Sequence, residues 1–290
     1  MGAIRHLAAS YEGTILATAE FESMVHVWDL ESLTKVSEFK TTLDFGGHRL
    51  AISPDGKTVA AGAWARHGIA AYRSDNGREL WRRKDLKRVQ YLNFDRTGQQ
   101  LWCSFDEIAC HSLQIENGKT LQVVRDAEKL WISPLGSTRL LQRPYDFALV
   151  NENGQIAYIP KASFAALSVA FSETEVCISE SDGPVRSFSL YSAKQIWRCD
   201  PPKGVHFLEV GFSSILGKFA GVSWPFEKGG PSILHQFDGK SGRATSLCEV
   251  DCPDSVFCQK GSHLVTRNGS VLDIQSGKIE GRLAFPMKDI

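Results

Sequence analysis

The sequence predicts an all-β chain: a single β-propeller domain spanning residues 1–290, built from about seven four-stranded antiparallel blades. Three observations predict it. Two kinds of turn alternate along the whole chain, strand-length apolar runs separate them, and no stretch carries the period of an amphipathic helix.

The clearest unit lies near residue 50. Arg49-Leu50-Ala51-Ile52 and Thr58-Val59-Ala60-Ala61-Gly62 flank Ser53-Pro54-Asp55-Gly56-Lys57, where proline presets the turn dihedral and glycine accepts a positive φ. A second hairpin follows, with Ile69 to Tyr72 as one strand, Asp75-Asn76-Gly77-Arg78 as the turn and Glu79-Leu80-Trp81 as the next strand. One unit is therefore four antiparallel strands.

The same grammar runs through the rest of the chain. The first turn recurs at Tyr11-Glu12-Gly13-Thr14, Asp95-Arg96-Thr97-Gly98, Leu135-Gly136-Ser137, Ser172-Glu173-Thr174 and Lys260-Gly261-Ser262. The second recurs at Glu116-Asn117-Gly118-Lys119, Glu152-Asn153-Gly154-Gln155, Gly239-Lys240-Ser241-Gly242 and Gln275-Ser276-Gly277-Lys278. Aligning the third strands places Trp28, Tyr72, His111, Val150, Phe188, Phe237 and Ile274 at one packing position, about 41 residues apart. Blade edges are expected near residues 43, 87, 127, 163, 203 and 252. The chain begins on an innermost strand and ends on an outermost one, Lys278 to Phe285, so each blade is expected to be contiguous.

Trp28-Asp29 ending a strand, Gly47-His48 opening the next unit and Ser53-Pro54-Asp55-Gly56-Lys57 inside it resemble WD-repeat signatures. Phe237-Asp238 approaches the terminal dipeptide again. The chain thus resembles a divergent member of the WD and YVTN propeller group, which implies a propeller fold and a platform for partners.

Composition narrows the partners. Lys plus Arg equals Asp plus Glu at 33 each, so no global field draws the chain to nucleic acid or to an acidic membrane. The longest apolar stretch, Phe164 to Phe171, is too short to cross a bilayer as a helix. The first residues lack a signal-peptide core, and position 6 is His where a myristoylation signal wants Ser or Thr, so a cytoplasmic protein is expected. The seven cysteines are odd in number and scattered through strand-like segments, which predicts reduced thiols. Cys248, Cys252 and Cys258 match no zinc-site spacing, and neither a metal nor a cofactor is expected.

Function has to be read from loops. The connections between second and third strands read Glu20-Phe21-Glu22, Trp64-Ala65-Arg66-His67, Phe105-Asp106, Arg143-Pro144-Tyr145-Asp146, Ser181-Asp182-Gly183, Trp224-Pro225-Phe226-Glu227-Lys228-Gly229-Gly230 and Arg267-Asn268-Gly269. Five of these seven carry an aromatic, although turns ordinarily favour Gly, Asn, Asp and Ser, while Trp, Tyr and Arg dominate interface centres. Phe21, Phe105 and Tyr145 also fit as the last core residues of their strands. The basic run Arg82-Arg83-Lys84-Asp85-Leu86-Lys87-Arg88 reads as a solvated outer strand up to Lys84, with Lys87 and Arg88 at the rim. The expected partner-binding set is Trp64, Arg66, His67, Lys87, Arg88, Tyr145, Trp224, Phe226 and Lys228. The partner is a protein, and the module is a scaffold or a toxin inhibitor of the immunity type.

The alternative is an enzyme with a site in the central funnel, quinoprotein-like or hydrolytic. Gly77-Arg78-Glu79-Leu80-Trp81 and Gln195-Ile196-Trp197 resemble the Gly-x-x-x-Trp stretches of quinoprotein dehydrogenases, and His67, His206 or Asp146 could belong to a triad. No nucleophile elbow or paired-ligand motif supports this reading, and no residue is assigned a catalytic role.

Overall fold

The computed structural model describes residues 4–20, 23–43, 49–63, 67–105, 108–134, 138–151, 153–163, 165–181, 183–225, 230–252, 254–258 and 263–284. Blade 1 comprises Ile4–Ala9, Ile15–Glu20, Met24–Asp29 and Thr34–Lys40; blade 2, Arg49–Ile52, Thr58–Gly62, Ile69–Arg73 and Glu79–Arg83. Blade 3 comprises Tyr91–Phe94, Gln100–Ser104, Ala109–Gln114 and Thr120–Arg125; blade 4, Lys129–Ile132, Arg139–Gln142, Asp146–Val150 and Ile156–Pro160. Blade 5 comprises Ala166–Phe171, Glu175–Glu180, Val185–Ser189 and Gln195–Cys199; blade 6, Val205–Ser213, Lys218–Pro225, Ser232–Phe237 and Ala244–Val250; blade 7, Ser255–Phe257, His263–Thr266, Ser270–Asp273 and Ile279–Arg282.

Each blade is one antiparallel sheet whose strands pair in chain order, giving the seven blades of a β-propeller. No helix occurs among the described residues. All six expected blade edges fall in the connections between one blade's fourth strand and the next blade's first, and the first and last strands belong to different sheets. The chain divides into two compact units, Met1–Ile132 with Leu283–Ile290, and Ser133–Arg282.

The turn between third and fourth strands explains most of the sequence repeat. In blade 2, Arg73 N donates to Arg78 O (2.9 Å) and Gly77 N returns a bond to Arg73 O (2.9 Å). The same pair of bonds closes the turns at Gln114, Ser189, Asp238 and Asp273. A β-bulge in the fourth strand adjoins the turn, marked on the third strand by register shifts at Val27/Trp28, Ala71/Tyr72, Ser112/Leu113, Ser187/Phe188 and Val271/Leu272.

These landmarks define the repeated buried position. Trp28, Tyr72 and Phe188 occupy it as the sequence predicts; Phe237 holds the same place before its turn, with the bulge of blade 6 two residues earlier at Leu234/His235, and Val150 holds the matching place in a blade without a bulge. His111 and Ile274 do not: Leu113 and Leu272 stand there instead, two residues away in each case. A slip of two keeps every side chain on its own face of the strand, so the apolar alternation alone does not reveal it.

The next residue caps the turn. Asp29 Oδ1 accepts from Glu31 N (3.1 Å), Ser32 N (2.8 Å) and Ser32 Oγ (2.8 Å). Asp238 Oδ1 accepts from Lys240 N, Ser241 N and Ser241 Oγ, and Asp273 Oδ1 from Ser276 N. Asn151 and Ser189 cap the same way. The aspartate of the Trp-Asp dipeptide is thus a side-chain surrogate for a missing backbone acceptor in the turn. Trp28 itself donates its indole N–H to Thr18 Oγ1 (3.2 Å) across the sheet.

Blades bury their faces against neighbours, and blade 2 shows how. Ala51, Ala60, Ala61, Ala63, Ala70 and Ala71 are all buried there, leaving room for Phe39 and Tyr72 on one side and Trp81, Leu92 and Phe94 on the other. The outer strand of each of several blades also sends a large side chain under the next blade's turn. Gly118, at φ +71°, has no room for a Cβ because Trp81 Cε3 would lie 2.7 Å from it, and Trp81 Nε1 donates to Ile115 O (2.5 Å) just before that turn. Phe39 sits against Gly77, Trp197 against Gly242 and Cys248 against Gly277 in the same way.

Two glycine substitutions separate the dihedral from the packing. Gly154 has φ +75°, and a Cβ added there would meet nothing within 4 Å. Gly154→Ala should therefore cost only the left-handed backbone penalty, about 1–2 kcal/mol, whereas Gly118→Ala should add an overpacking cost of about 1–3 kcal/mol. Urea denaturation compares them directly; equal losses would show that Trp81 yields without cost.

Candidate binding rim and groove

In an antiparallel four-stranded blade, the second-to-third-strand loop and the exit toward the next blade leave from the same end. Hydrogen bonds tie the two together. Thr41 N donates to Ser23 O (2.8 Å) and Ser23 Oγ to Leu43 O (2.7 Å) in blade 1; Val89 N donates to Ala63 O (3.1 Å) in blade 2, and Asp126 N to Ile108 O (2.9 Å) in blade 3. In blade 7, Arg267 N donates to Asp254 O (2.8 Å), and the Arg267 guanidinium pairs with the Asp254 carboxylate (2.6 Å). Among the described residues, the rim connections of blades 1, 2, 3 and 7 are braced by these bonds.

The predicted residues distribute unevenly over it. Trp64, Arg66, Phe226 and Lys228 lie outside the described residues. Half-buried His67 and exposed Lys87 and Arg88 come to one end of blade 2, where the bond from Val89 to Ala63 joins their segments. Arg82 and Arg83 are engaged structurally: Arg82 bonds Glu79 (2.6 Å) and Thr42 O, and Arg83 grips Asp85 (2.6 and 2.8 Å) and Gly118 O (2.7 Å).

Among the described residues Tyr145 is the most exposed aromatic, 90% exposed at the tip of a turn closed by Arg143 N donating to Asp146 O (2.9 Å). Lys161 Nζ donates to Pro144 O (3.2 Å), and the Arg143 guanidinium lies 5.2 Å above the Tyr158 ring. Phe105, by contrast, is a core residue, buried edge-on against His111 with ring centroids 5.2 Å apart. Trp224 and Pro225 belong to the second strand of blade 6, with Trp224 opposite His206, rather than to the connection that follows.

Beside Trp224's strand a groove of about 610 Å³ runs from the rim down the side of blade 6. Pro201, Pro202, Pro225 and Pro231 border its upper end, and Phe207 and Ile233 line its wall. At its base His235 Nε2 lies 2.8 Å from Ser223 Oγ and Nδ1 lies 3.3 Å from Ser246 Oγ, while burial lowers the pKa of the imidazole.

This serine–histidine pair has counterparts. The register places it where blade 1 has Glu20 and His26 (2.8 Å) and blade 5 has Glu180 with Arg186 (2.5 Å), both pairs buried. Glu180 Oε2 also accepts from Ala162 N (2.7 Å) and Ser163 N (3.0 Å), clamping the entry to blade 5. A hydrogen-bonded pair thus recurs at this place in three blades; in blade 6 both ring nitrogens of His235 face serine hydroxyls, where the base of a hydrolytic triad would have a carboxylate on one side.

Glu209 is a second polar group absent from the sequence reading. It leaves the first strand of blade 6 at a bulge, where the register shifts between Phe207 and Glu209. Burial pushes its pKa from 4.5 up to about 8, opposed by a hydrogen bond with Ser168 and reinforced by the charge of Asp254. The cysteines are all free, and burial raises the thiols of Cys110 and Cys258 to about 12. Among the described residues no group of three or more His, Cys, Asp or Glu is arranged to hold a metal.

Similar proteins were found by structure alone. No protein-family model matches the sequence, and no curated protein matches it at the sequence level. U3-55K superposes with a TM-score of 0.71 at 15% identity, covering 97% of this chain and 94% of that one. The Cps50 (Swd1) β-propeller domain of Myceliophteria thermophila gives 0.72 at 12% identity, with 96% of each chain covered. The WD40 repeats of RRP9 give 0.72 at 15% identity, covering 97% and 92%. The chain has the WD40 propeller fold. The expected WD-type architecture is therefore present over essentially the whole length, although Trp-Asp survives as a dipeptide only at Trp28-Asp29.

Glu209 generates a pH prediction. Its folded pKa lies above its unfolded one, so its contribution is most favourable below about pH 4.5 and is lost as pH rises toward about 8. Glu209→Gln should leave stability nearly unchanged at acid pH and raise it by about 2–4 kcal/mol at alkaline pH. Chemical denaturation at both ends of that range checks this; a pH-independent difference would mean the carboxyl titrates normally.

Proposed function

We propose that this chain is a non-catalytic protein-binding module of the cytoplasm, a scaffold or an immunity-type inhibitor, that holds its partner on the braced rim. The observation that carries this reading is Tyr145, a large aromatic held almost fully exposed by Lys161 and by the Arg143–Asp146 turn. A rigidly presented tyrosine loses little entropy on contact, which is what makes such residues interface anchors. The proline-bordered groove beside Trp224's strand supplies an apolar furrow suited to an extended segment of the partner. Trp64, Arg66, His67, Lys87, Arg88, Phe226 and Lys228 complete the proposed contact set. Free, largely buried thiols accord with a reducing compartment.

Tyr145→Ala should weaken partner binding by about 2 kcal/mol while leaving thermal stability unchanged, because the side chain stands almost wholly in solvent. Trp224→Ala should lower both, since it lies within a paired strand. Affinity capture from the producing cells with wild-type and Tyr145→Ala baits, followed by calorimetry on the captured protein, measures this. A partner bound equally by both would move the interface off this rim.

A further inference from the structure

The outer strand of a propeller blade is an edge, and proteins protect edges with bulges and charges. Six blades here do both. Their third-to-fourth-strand pairings each contain a register shift, and their outer strands carry Lys35, Glu38, Arg83, Arg125, Arg198, Glu249, Glu280 or Arg282. The fourth strand of blade 4, Ile156–Pro160, does neither: it pairs with the third strand in unbroken register, and its sequence Ile-Ala-Tyr-Ile-Pro has no charge.

Its hydrogen-bonding pattern can be followed residue by residue. Asn151 N donates to Gln155 O (3.0 Å), and alternation from that closing pair turns Ala157 and Ile159 toward the third strand. Ile156 and Tyr158 therefore direct their N–H and C=O groups away from the blade. Their side chains share one face and are both exposed, with the Tyr158 ring steadied by Arg143. Pro160, the next outward position, has no N–H, and its carbonyl already accepts from Arg186 Nη2 (2.8 Å). The open segment is thus Ile156 to Tyr158.

We infer that this edge pairs with the same edge of a second copy of the chain, antiparallel about a two-fold axis through Ala157. In that register Ile156 faces the partner's Tyr158 and Tyr158 the partner's Ile156. All four outward donors and acceptors of each copy are satisfied, and two aromatic–β-branched cross-strand pairs form on the exposed face. The strand itself carries no charge, and Arg143, which lies over Tyr158, has Asp146 beside it at 3.5 Å to offset its charge. A twofold through Tyr158 would instead set Pro160 opposite Ile156 and leave the Ile156 carbonyl without a donor.

Sedimentation velocity on the full chain should show its mass rising with concentration from 32.1 kDa toward twice that value. Ile156→Lys and Tyr158→Pro should each weaken dimerisation by about tenfold or more, the first by charge repulsion and the second by removing an outward N–H that the blade does not use. Unchanged circular dichroism and melting temperature establish that the variants fold. Oxidised Ala157→Cys should yield a peptide cross-linked between the two copies of position 157, because the axis makes these residues a close non-hydrogen-bonded pair. A single-chain mass at every concentration, a dimer indifferent to both variants, or a dimer whose position-157 cysteines do not cross-link would each overturn the inference.

Discussion

The fit of one blade's outer side chain beneath the next blade's turn is the contact on which the architecture depends. A four-stranded sheet cannot bury either face alone, so its stability is borrowed from its neighbours. Trp81 against Gly118 shows how little tolerance that arrangement has. The glycine answers two demands at once, a left-handed backbone and the absence of a Cβ, and the indole N–H then bonds the adjoining carbonyl of Ile115. Trp197 repeats the packing against Gly242, but its indole nitrogen is buried without a hydrogen-bond partner. The shape of the contact is therefore more strictly kept than its polar component.

Much of the fold is legible in the sequence because turn chemistry is local. Pro54-Asp55-Gly56 and Asn76-Gly77 specify their turns within a few residues, and the apolar runs between them can only be strands. What stays hidden is register. The bulge before Leu113 and Leu272 adds a residue to the opposite strand, an event with no composition of its own, so His111 and Ile274 are natural but displaced choices. That displacement also conceals Leu272-Asp273, whose aspartate caps its turn as Asp29 and Asp238 do. At the candidate site, Tyr145 can be found because Arg-Pro-Tyr-Asp is a turn with an aromatic at its tip. Trp224 at the end of a strand and Trp224 at the start of a loop are the same sequence, and only strand pairing with His206 separates them. His235 and Glu209 look like ordinary solvent-facing polar residues of strands; both are half-buried, Glu209 beside Ser168 of the preceding blade, and no local pattern encodes such a neighbour.

The polar pairs near the rim share one place in the fold while differing in chemistry. Ser223 and His235 have hydrogen-bond geometry compatible with a nucleophile and its base, and they lie in a groove. Their register-equivalents are a glutamate with a histidine in blade 1 and a glutamate with an arginine in blade 5, which share placement but no chemistry. What recurs is the need to satisfy buried polar groups where a strand ends and the chain leaves for the next blade. Glu180 makes this visible by bonding two backbone amides of the incoming segment as well as Arg186.

The outer-strand contacts also have a direction. Phe39 precedes Gly77, Trp81 precedes Gly118, Trp197 precedes Gly242 and Cys248 precedes Gly277, so in each pair the bulky member comes from the earlier blade. A nascent chain leaving the ribosome amino-terminus first has therefore already made the surface on which each of these turns will close. Every such turn finds its template waiting, and none has to hold an empty socket for a side chain still to be translated.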